Sequence, residues 1–468
     1  MIPVSLSWVV EQVKGELISA DNADITIQGV STDTRTIAPD DLFIALVGPK
    51  FDGHKFVDQA QQLGAIAVIV SKQLDIDVAQ ILVQDTTVAL GLLGAAVKAK
   101  VAPKTVAITG SSGKTTVKEM VAAILSRRGK VLATKGNFNN EIGVPLTLLR
   151  LTKDDEFAVI ELGANHLGEI AYTTNLVKPD VATIVNAAAA HLEGFGSLLG
   201  VARAKSEIFK SLNDKGLAIL NADSQFYAFW QGKLNTDNVQ TFSTEKAANF
   251  TAEDVILGLD GCAQFELQSP KGNISVSLSL PGMHNVSNAL VAAGLAMSVG
   301  ATLQDVKEGL RLMPHVTGRL EVKQLTNQVK ILDDSYNANV ASVNAAIDLL
   351  ASFAGRKVLV LGDMGELGDK ARYYHEKVGE YALQKGIDEL FTLGVLSQSA
   401  SEIFKQKGKH FNQLENLVAH INERLVFEQR DISILVKGSR SAHMERVVVA
   451  LEDSPVGKFE RIRERIAC

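Results

Sequence analysis

Thr105-Val106-Ala107-Ile108-Thr109-Gly110-Ser111-Ser112-Gly113-Lys114-Thr115-Thr116 is an apolar, β-branched run that passes without a break into a glycine-rich loop. Residues 105–109 predict a buried strand and residues 116–127 carry helical spacing, so the order is strand, loop, helix. In that order glycines let backbone N–H groups close around phosphate oxygens, and the helix offers its positive end. Lys114 adds a point charge and Thr115 a hydroxyl for Mg²⁺. Gly110, Ser111, Ser112, Gly113, Lys114, Thr115 and Thr116 are therefore the expected ATP-binding loop. A glycine turn beside a surface lysine is the plainer reading, and the strand–loop–helix order argues against it. The spacing G-x-x-G-K-T-T is shorter than the general G-x-x-x-x-G-K-[ST] pattern.

Outward from the loop, short apolar runs alternate with helical stretches, which is the pattern of an α/β protein. Three domains are expected. Residues 1–84 form a small leading α/β domain with strands at 41–46 and 65–70. Residues 85–315 form a central P-loop-type, mostly parallel sheet with strands at 105–109, 157–160, 181–185 and 217–220. Residues 316–468 form a C-terminal Rossmann-like domain with strands at 329–332, 357–361 and 432–436. The turn Gly362-Asp363-Met364-Gly365 invites a dinucleotide reading, but G-x-G-x-x-G spacing is absent and a structural strand-to-helix turn is preferred.

Composition narrows the class. The chain has 468 residues, 46% of them hydrophobic and 21% charged, which suits a folded globular protein. A net charge of -6 argues against nucleic-acid binding, which needs a surplus of Lys and Arg. Cys262 and Cys468 are far apart and lack metal-ligand spacing, so a reducing cytoplasm fits. The N-terminus lacks the features of a secretory signal. Residues 281–304 carry no Asp, Glu, Lys or Arg, but His284, Asn285, Ser287 and Asn288 interrupt them, so a buried helix is expected rather than a membrane span.

Further residues are candidates with two readings each. Glu161 ends an apolar strand, where a carboxylate holds a hard cation or caps a helix. His191 follows four alanines and reads alone as a core histidine. Lys205 reads as one charge on a solvated helix face. The blocks Pro281-Gly282-Met283-His284-Asn285-Val286-Ser287-Asn288-Ala289, Gly318-Arg319-Leu320-Glu321 and Asp333-Asp334-Ser335-Tyr336-Asn337-Ala338-Asn339 suit a nucleotide site or plain capping and turns.

The short loop resembles that of the Mur ligases and the related folylpolyglutamate synthetases. The resemblance extends over the chain through Ser31-Thr32-Asp33-Thr34-Arg35, Asp52-Gly53-His54-Lys55-Phe56, Gly136-Asn137-Phe138-Asn139-Asn140-Glu141, Glu161-Leu162-Gly163-Ala164-Asn165-His166, residues 186–196, Asp334-Ser335-Tyr336-Asn337-Ala338-Asn339, Leu361-Gly362-Asp363-Met364-Gly365-Glu366-Leu367-Gly368 and Lys437-Gly438-Ser439-Arg440-Ser441. It implies an ATP-dependent ligase of peptidoglycan-precursor synthesis. The member most resembled joins D-alanyl-D-alanine to UDP-N-acetylmuramoyl-tripeptide through an acyl phosphate.

By the same resemblance, Lys114, Glu161, His191, Lys205 and Arg319 are catalytic. Asn285, Asn288, Arg319, Asp334, Tyr336 and Asn337 join the loop in binding ATP. Thr115, Glu161, His191 and a carbamylated Lys205 hold Mg²⁺. Ser31, Asp33, Thr34, Arg35, Gly53, His54, Asn137, Asn139, Asn140 and Asn339 bind substrate. A monomer is expected, and the third domain is expected to close by rotation about residues 313–318. Leu162 stands where Met is common, and Val340 where Pro often fixes the turn. Another Mur ligase or a folylpolyglutamate synthetase shares the loop. So does a different class, a phosphotransferase or nucleotide-switched binding protein, for which the flanking blocks carry no meaning.

Overall fold

The computed structural model describes residues 1–18, 25–212, 215–313, 317–426 and 430–454. Cys468, the 315/316 boundary and half of the expected hinge at 313–318 lie outside them. Three α/β units follow along the chain, each built on a mainly parallel sheet.

The first sheet runs in the order Glu16–Leu17, Ala79–Leu82, Ala65–Val70, Asp41–Ile44, Gly29–Ser31, with only the first pair antiparallel. Asp41–Ile44 and Ala65–Val70 are almost wholly buried, as continuous apolar strands covered on both faces must be. Helix Thr86–Val101, capped by Asp85, buries Ala89, Leu90, Leu93 and Val97. These residues join the first sheet's core to that of the next, so packing does not break at residue 84.

The central sheet has six parallel strands in the order Lys130–Ala133, Asp155–Glu161, Lys104–Thr109, Val181–Ile184, Leu217–Asn221, Val239–Phe242. Four of its elements frame the site. β1 (Lys104–Thr109) feeds α1 (Lys114–Leu125) through the glycine loop, and β2 (Asp155–Glu161) and β3 (Val181–Ile184) flank β1. The chain leaves β1 toward one edge and returns to the other side, so a crevice opens beyond the carboxyl ends of β1, β2 and β3. α1 starts two residues earlier than its spacing predicted, because Gly113 at φ 77 lets the backbone turn directly into the helix.

The charge-free segment yields α2 (His284–Ser298), buried over most of its surface against the sheet, then a separate amphipathic helix, Leu303–Arg311, with a Thr302–Asp305 capping box. Three antiparallel strands, Thr251–Leu257, Cys262–Ser269 and Gly272–Pro281, form a sheet that the run of parallel-strand signals did not foretell. Its alternation is legible in retrospect: Phe265 and Leu267, then Val276, Leu278 and Leu280, face inward at every second position.

The third sheet runs Glu321–Gln324, β4 (Val329–Asp334), Ile432–Lys437, Arg356–Gly362, Glu389–Leu393, Gly408–Phe411, parallel except at its first pair. α3 (Val340–Ser352) follows β4, and β5 is the strand Ile432–Lys437. Val340 is the first residue of α3, where Pro is favoured. Here the helix start is fixed instead by a capping box between Asn339 and Ser342. The turn after Arg356–Gly362 is structural. The Asp363 carboxylate accepts the amides of Val395 and Ser397 at 3.0 and 2.8 Å, and its carbonyl accepts that of Ser439 at 2.9 Å. Among the described residues no helix is long and apolar enough to cross a membrane.

Candidate active site

The glycine loop is held in shape by one side chain that follows β3. Asn186 Oδ1 accepts the Ser111 and Ser112 amides at 3.1 and 3.0 Å, while its Nδ2 donates to the Ser112 carbonyl at 3.1 Å. Ser111 is fastened again by its hydroxyl, which exchanges hydrogen bonds with Ala188. Gly113 must be glycine twice over, since its φ is positive and a Cβ there would lie 2.8 Å from Asn288 Oδ1. Lys114 Nζ folds back to the Gly110 carbonyl at 2.8 Å. Burial pushes the Lys114 ammonium below its ordinary pKa, against the pull of Glu161, and the Arg319 charge lowers it further.

Glu161, at the end of β2, is buried and faces the same crevice. Its Oε2 accepts the Thr115 hydroxyl at 2.9 Å and its Oε1 the Asn139 amide at 2.9 Å. Among the described residues its hydrogen bonds come from neutral donors, and a hydroxyl and a carboxylate side by side are hard oxygen donors that fit Mg²⁺. Among the described residues no group of three or more His, Cys, Asp and Glu gathers at one point. The set therefore suits a cation that takes its remaining oxygens from phosphates and water.

Lys205 is not on a solvated face. It is buried on helix Leu198–Ser206, lines the cleft, and has no hydrogen bond or ion pair among the described residues. Burial, then the charge of Lys114, drives its pKa well below the ordinary lysine value. His191 is likewise not a core residue. It lines the cleft, its ring edge-on to Phe195 at 6.3 Å, and its Nδ1 pairs with Glu366 of the third domain.

The third domain forms the opposite wall. Asp334, at the end of β4, forms a buried ion pair with Lys437 at the end of β5, and Lys437 Nζ also donates to the Asn337 carbonyl at 2.9 Å. Arg319 stacks on Tyr336 with 4.4 Å from guanidinium to ring centroid, and its Nε is buried with no hydrogen-bond partner among the described residues. Asn339 Nδ2 reaches across to the Ser111 carbonyl at 3.0 Å. Between the walls lies a cleft of about 890 Å³ that holds Lys114, Thr115, Glu161, His191, Lys205, Arg319, Tyr336, Asn337 and Asn339. A side cavity of about 160 Å³ adjoins it, lined by Gly113, Thr116, Asn285, Asn288, Asp334 and Lys437. Asn285 and Asn288 are buried and joined by a 2.9 Å hydrogen bond.

The expected substrate residues divide. Asn137, Asn139 and Asn140 line the large cleft, whereas Ser31, Asp33, Thr34, Arg35, Gly53 and His54 line neither cavity. The latter sit in the first domain as two self-bonded turns. Arg35 clamps the Asp33 carboxylate through side chain and amide, holding its pKa at about 2. His54 spends both ring nitrogens, one on Asp52 at 2.7 Å and one on the Ser71 amide at 3.0 Å. Gly53 is packed against Leu46, where a Cβ would meet backbone at 2.7 Å. Beside them Phe51 and Phe56 stack, exposed, with ring centroids 5.4 Å apart, and sequence reading did not single them out. Nor did it single out Asn186, Glu366, Lys437 or Arg440. All four stood inside the family-like blocks, but partners far along the chain, 74 residues away for Asn186 and 103 for Lys437, give them their roles.

Three known family domains match along the chain. The Mur ligase family catalytic domain matches residues 26–127, the Mur ligase middle domain residues 108–296 and the glutamate ligase domain residues 318–440. The chain belongs to the Mur ligase family. Among its Mur ligase relatives, the UDP-N-acetylmuramoyl-tripeptide--D-alanyl-D-alanine ligase of Escherichia coli is 50% identical over 97% of this chain and 99% of its own. The crystal structure of MurF from Acinetobacter baumannii superposes with a TM-score of 0.92 at 37% identity, over 97% of this chain and 99% of that one. MurF from Thermotoga maritima, solved in complex with ADP, superposes at 0.81 with 28% identity, covering 91% and 97%. The family's three-domain architecture is thus the architecture seen here.

Proposed function

We propose that this Mur ligase joins D-alanyl-D-alanine to UDP-N-acetylmuramoyl-tripeptide with ATP, giving the UDP-pentapeptide, ADP and phosphate. The observation that carries the reading is the 50% identity to a relative of that activity over 97% of the chain. The cleft supports the chemistry, because buried cations and hard oxygen donors line one cleft between two domains. Residues 1–84 would bind the uridine nucleotide, 85–315 the ATP, and 316–468 would close over ATP and bind D-alanyl-D-alanine. The exposed Phe51–Phe56 stack offers the first domain an aromatic face for a base.

The terminal carboxylate of the tripeptide attacks the γ-phosphorus of ATP, the bond to the β-phosphate oxygen breaks, and ADP leaves. The amine of D-alanyl-D-alanine then attacks the acyl phosphate carbonyl and phosphate departs. Positioning and charge neutralisation are what the phosphoryl step requires. Lys114 and Arg319 supply charge to the β- and γ-phosphates, and the loop amides orient them. Asn285 and Asn288 line the side cavity that suits the nucleoside. Mg²⁺, held by Thr115 and Glu161 and again by His191 and Lys205, would neutralise charge as it moves from γ-phosphate to leaving group. Lys205 would serve as a carbamate: its depressed pKa favours the neutral amine that adds to carbon dioxide, and the product is an anion where a cation would repel metal.

Both walls of the cleft come from one chain, which supports a monomer as the working unit. The two widely separated cysteines and the use of ATP and a nucleotide-linked precursor support the cytoplasm. Phosphate release measured with each substrate omitted tests the reading. Release is expected to need both the UDP-tripeptide and D-alanyl-D-alanine, with product mass equal to the pentapeptide. Equal ATP hydrolysis without either substrate would leave a phosphotransferase or nucleotide switch.

A further inference from the structure

We propose that Asn339 is a positioning residue for the phosphate loop. Its side chain, carried by the third domain, pins the Ser111–Ser112 peptide plane from one end while Asn186 of the central domain pins it from the other. The proposal rests on the ligase reading above and deepens it, by giving Asn339 a share in nucleotide affinity rather than a contact with substrate.

Asn339 caps α3, and the cap fixes which side-chain atom is which. Oδ1 accepts the Ser342 amide at 2.9 Å, while the Asn339 amide donates to the Ser342 hydroxyl at 3.0 Å. Nδ2 is left to donate, and it does so across the cleft, to the Ser111 carbonyl 228 positions away, at 3.0 Å. The cap by itself does not call for asparagine, since Asp or Ser serves a helix start as well. A carboxylate, however, has no donor, and a serine hydroxyl is one bond shorter. The side-chain amide serves its own helix with one atom and the opposite wall with the other.

The Ser111 carbonyl and the Ser112 amide belong to one peptide plane. Asn339 holds its oxygen, and Asn186 Oδ1 holds its N–H at 3.0 Å. The plane cannot turn over without breaking both bonds, so two asparagines from different domains set the path of the loop into Gly113 and Lys114. The helix that Asn339 caps also covers the nucleotide site: Ala341, Ser342 and Ala345 line the side cavity together with Gly113 and Asn288. Beyond them, a Cβ at Gly261 would lie 2.7 Å from Leu349. α3 thus meets the central domain twice, through a directed hydrogen bond at its start and through close apolar packing further along. Loop order and the seating of α3 are thereby linked, and linkage is reciprocal: a bound nucleotide favours the seated helix as much as the seated helix favours the nucleotide.

The experiment is a double-mutant cycle on AMP-PCP affinity, measured by isothermal titration of the full chain with no acceptor substrate present. Asn339→Ser keeps the cap and the net charge but cannot reach Ser111. It is expected to weaken affinity about fivefold, the worth of one neutral hydrogen bond, and, with the cap intact, to change the melting temperature little. Asn186→Ala releases the other end of the same plane. In the double variant the two losses are expected to fall well short of multiplying, because residues acting on one element are not additive. A residue that only stabilised the third domain would give losses that multiply. Asn339→Asp, closest in shape and without a donor, runs the cycle a second time, and its added charge enters both arms and cancels in the comparison. Wild-type affinity in Asn339→Ser, or losses that multiply in both cycles, overturns the proposal and leaves standing the ligase reading, which phosphate release tests. A wild-type chain that does not bind AMP-PCP overturns both.

Discussion

Asn186→Ala removes one half-buried side chain and, with it, the hooks on the phosphate loop. Four hydrogen bonds disappear: those from the amides of Ser111 and Ser112, the one from the Ser112 hydroxyl at 3.3 Å, and that to the Ser112 carbonyl. At a net value of about 1 kcal/mol each the ceiling is about 4 kcal/mol. Water reaches this half-exposed position and replaces about half of them, which leaves about 2 kcal/mol. For a domain of this size that is a fall in Tm of about 4–8 °C, followed by calorimetry of the full chain. Affinity for AMP-PCP, followed by isothermal titration, is expected to weaken about tenfold, equivalent to about 1.4 kcal/mol, as the unhooked amides lose their aim. Asn186→Asp separates the two effects. It keeps the acceptor and so costs less stability, but it sets a negative charge beside the phosphates and costs more affinity. The reasoning is refuted if Asn186→Ala keeps both Tm and affinity, or if Asn186→Asp binds nucleotide as well as wild type.

Lys114→Met keeps the volume but removes the charge, and kcat in the phosphate-release assay is expected to fall by roughly 10²–10³. Because burial depresses the folded-state pKa of Lys114, the unfolded chain binds its proton more tightly, and stability tied to this group rises as pH climbs toward 10.5. The variant should therefore melt higher than wild type at neutral pH and lose part of that rise; a lower Tm would count against burial outweighing the Gly110 hydrogen bond and the Glu161 attraction. Lys437→Met leaves Asp334 buried without its cation and should cost about 3–5 kcal/mol in urea unfolding. A cost below about 1 kcal/mol, typical of exposed pairs, would contradict the burial. Asp52 is held at about 2, first by the His54 ring and then by the His54 amide. Its contribution is complete above the unfolded carboxylate value of 3.8 and is lost as pH falls toward 2. Carboxyl carbon-13 titration should give a midpoint near 2 that moves up toward 3.8 in His54→Ala, and no movement would break the link.

The strands were legible because each is a short, continuous apolar run, which only a sheet covered on both faces requires. Thus residues 105–109, 157–160 and 432–436 lie within β1, β2 and β5. The loop was legible for a related reason: glycine spacing, lysine and threonine act on phosphate through their own backbone and neighbours. The antiparallel strands of residues 251–281 were missed although their alternation was present, since the apolar positions are interleaved with polar ones and mix with turn residues.

What the sequence by itself determined was local: the nucleotide loop, the parallel sheets, the capped start of α3 and, by resemblance, the family. Tertiary structure decided the environment of each charge, because burial and pairing depend on residues brought together from distant parts of the chain. Lys205 reads as a surface lysine until helix Leu198–Ser206 turns it inward. His191 reads as a core residue until the third domain brings up Glu366. Asn186 is one polar residue after a strand until the fold brings it to Ser112, 74 positions away, where it holds the nucleotide loop.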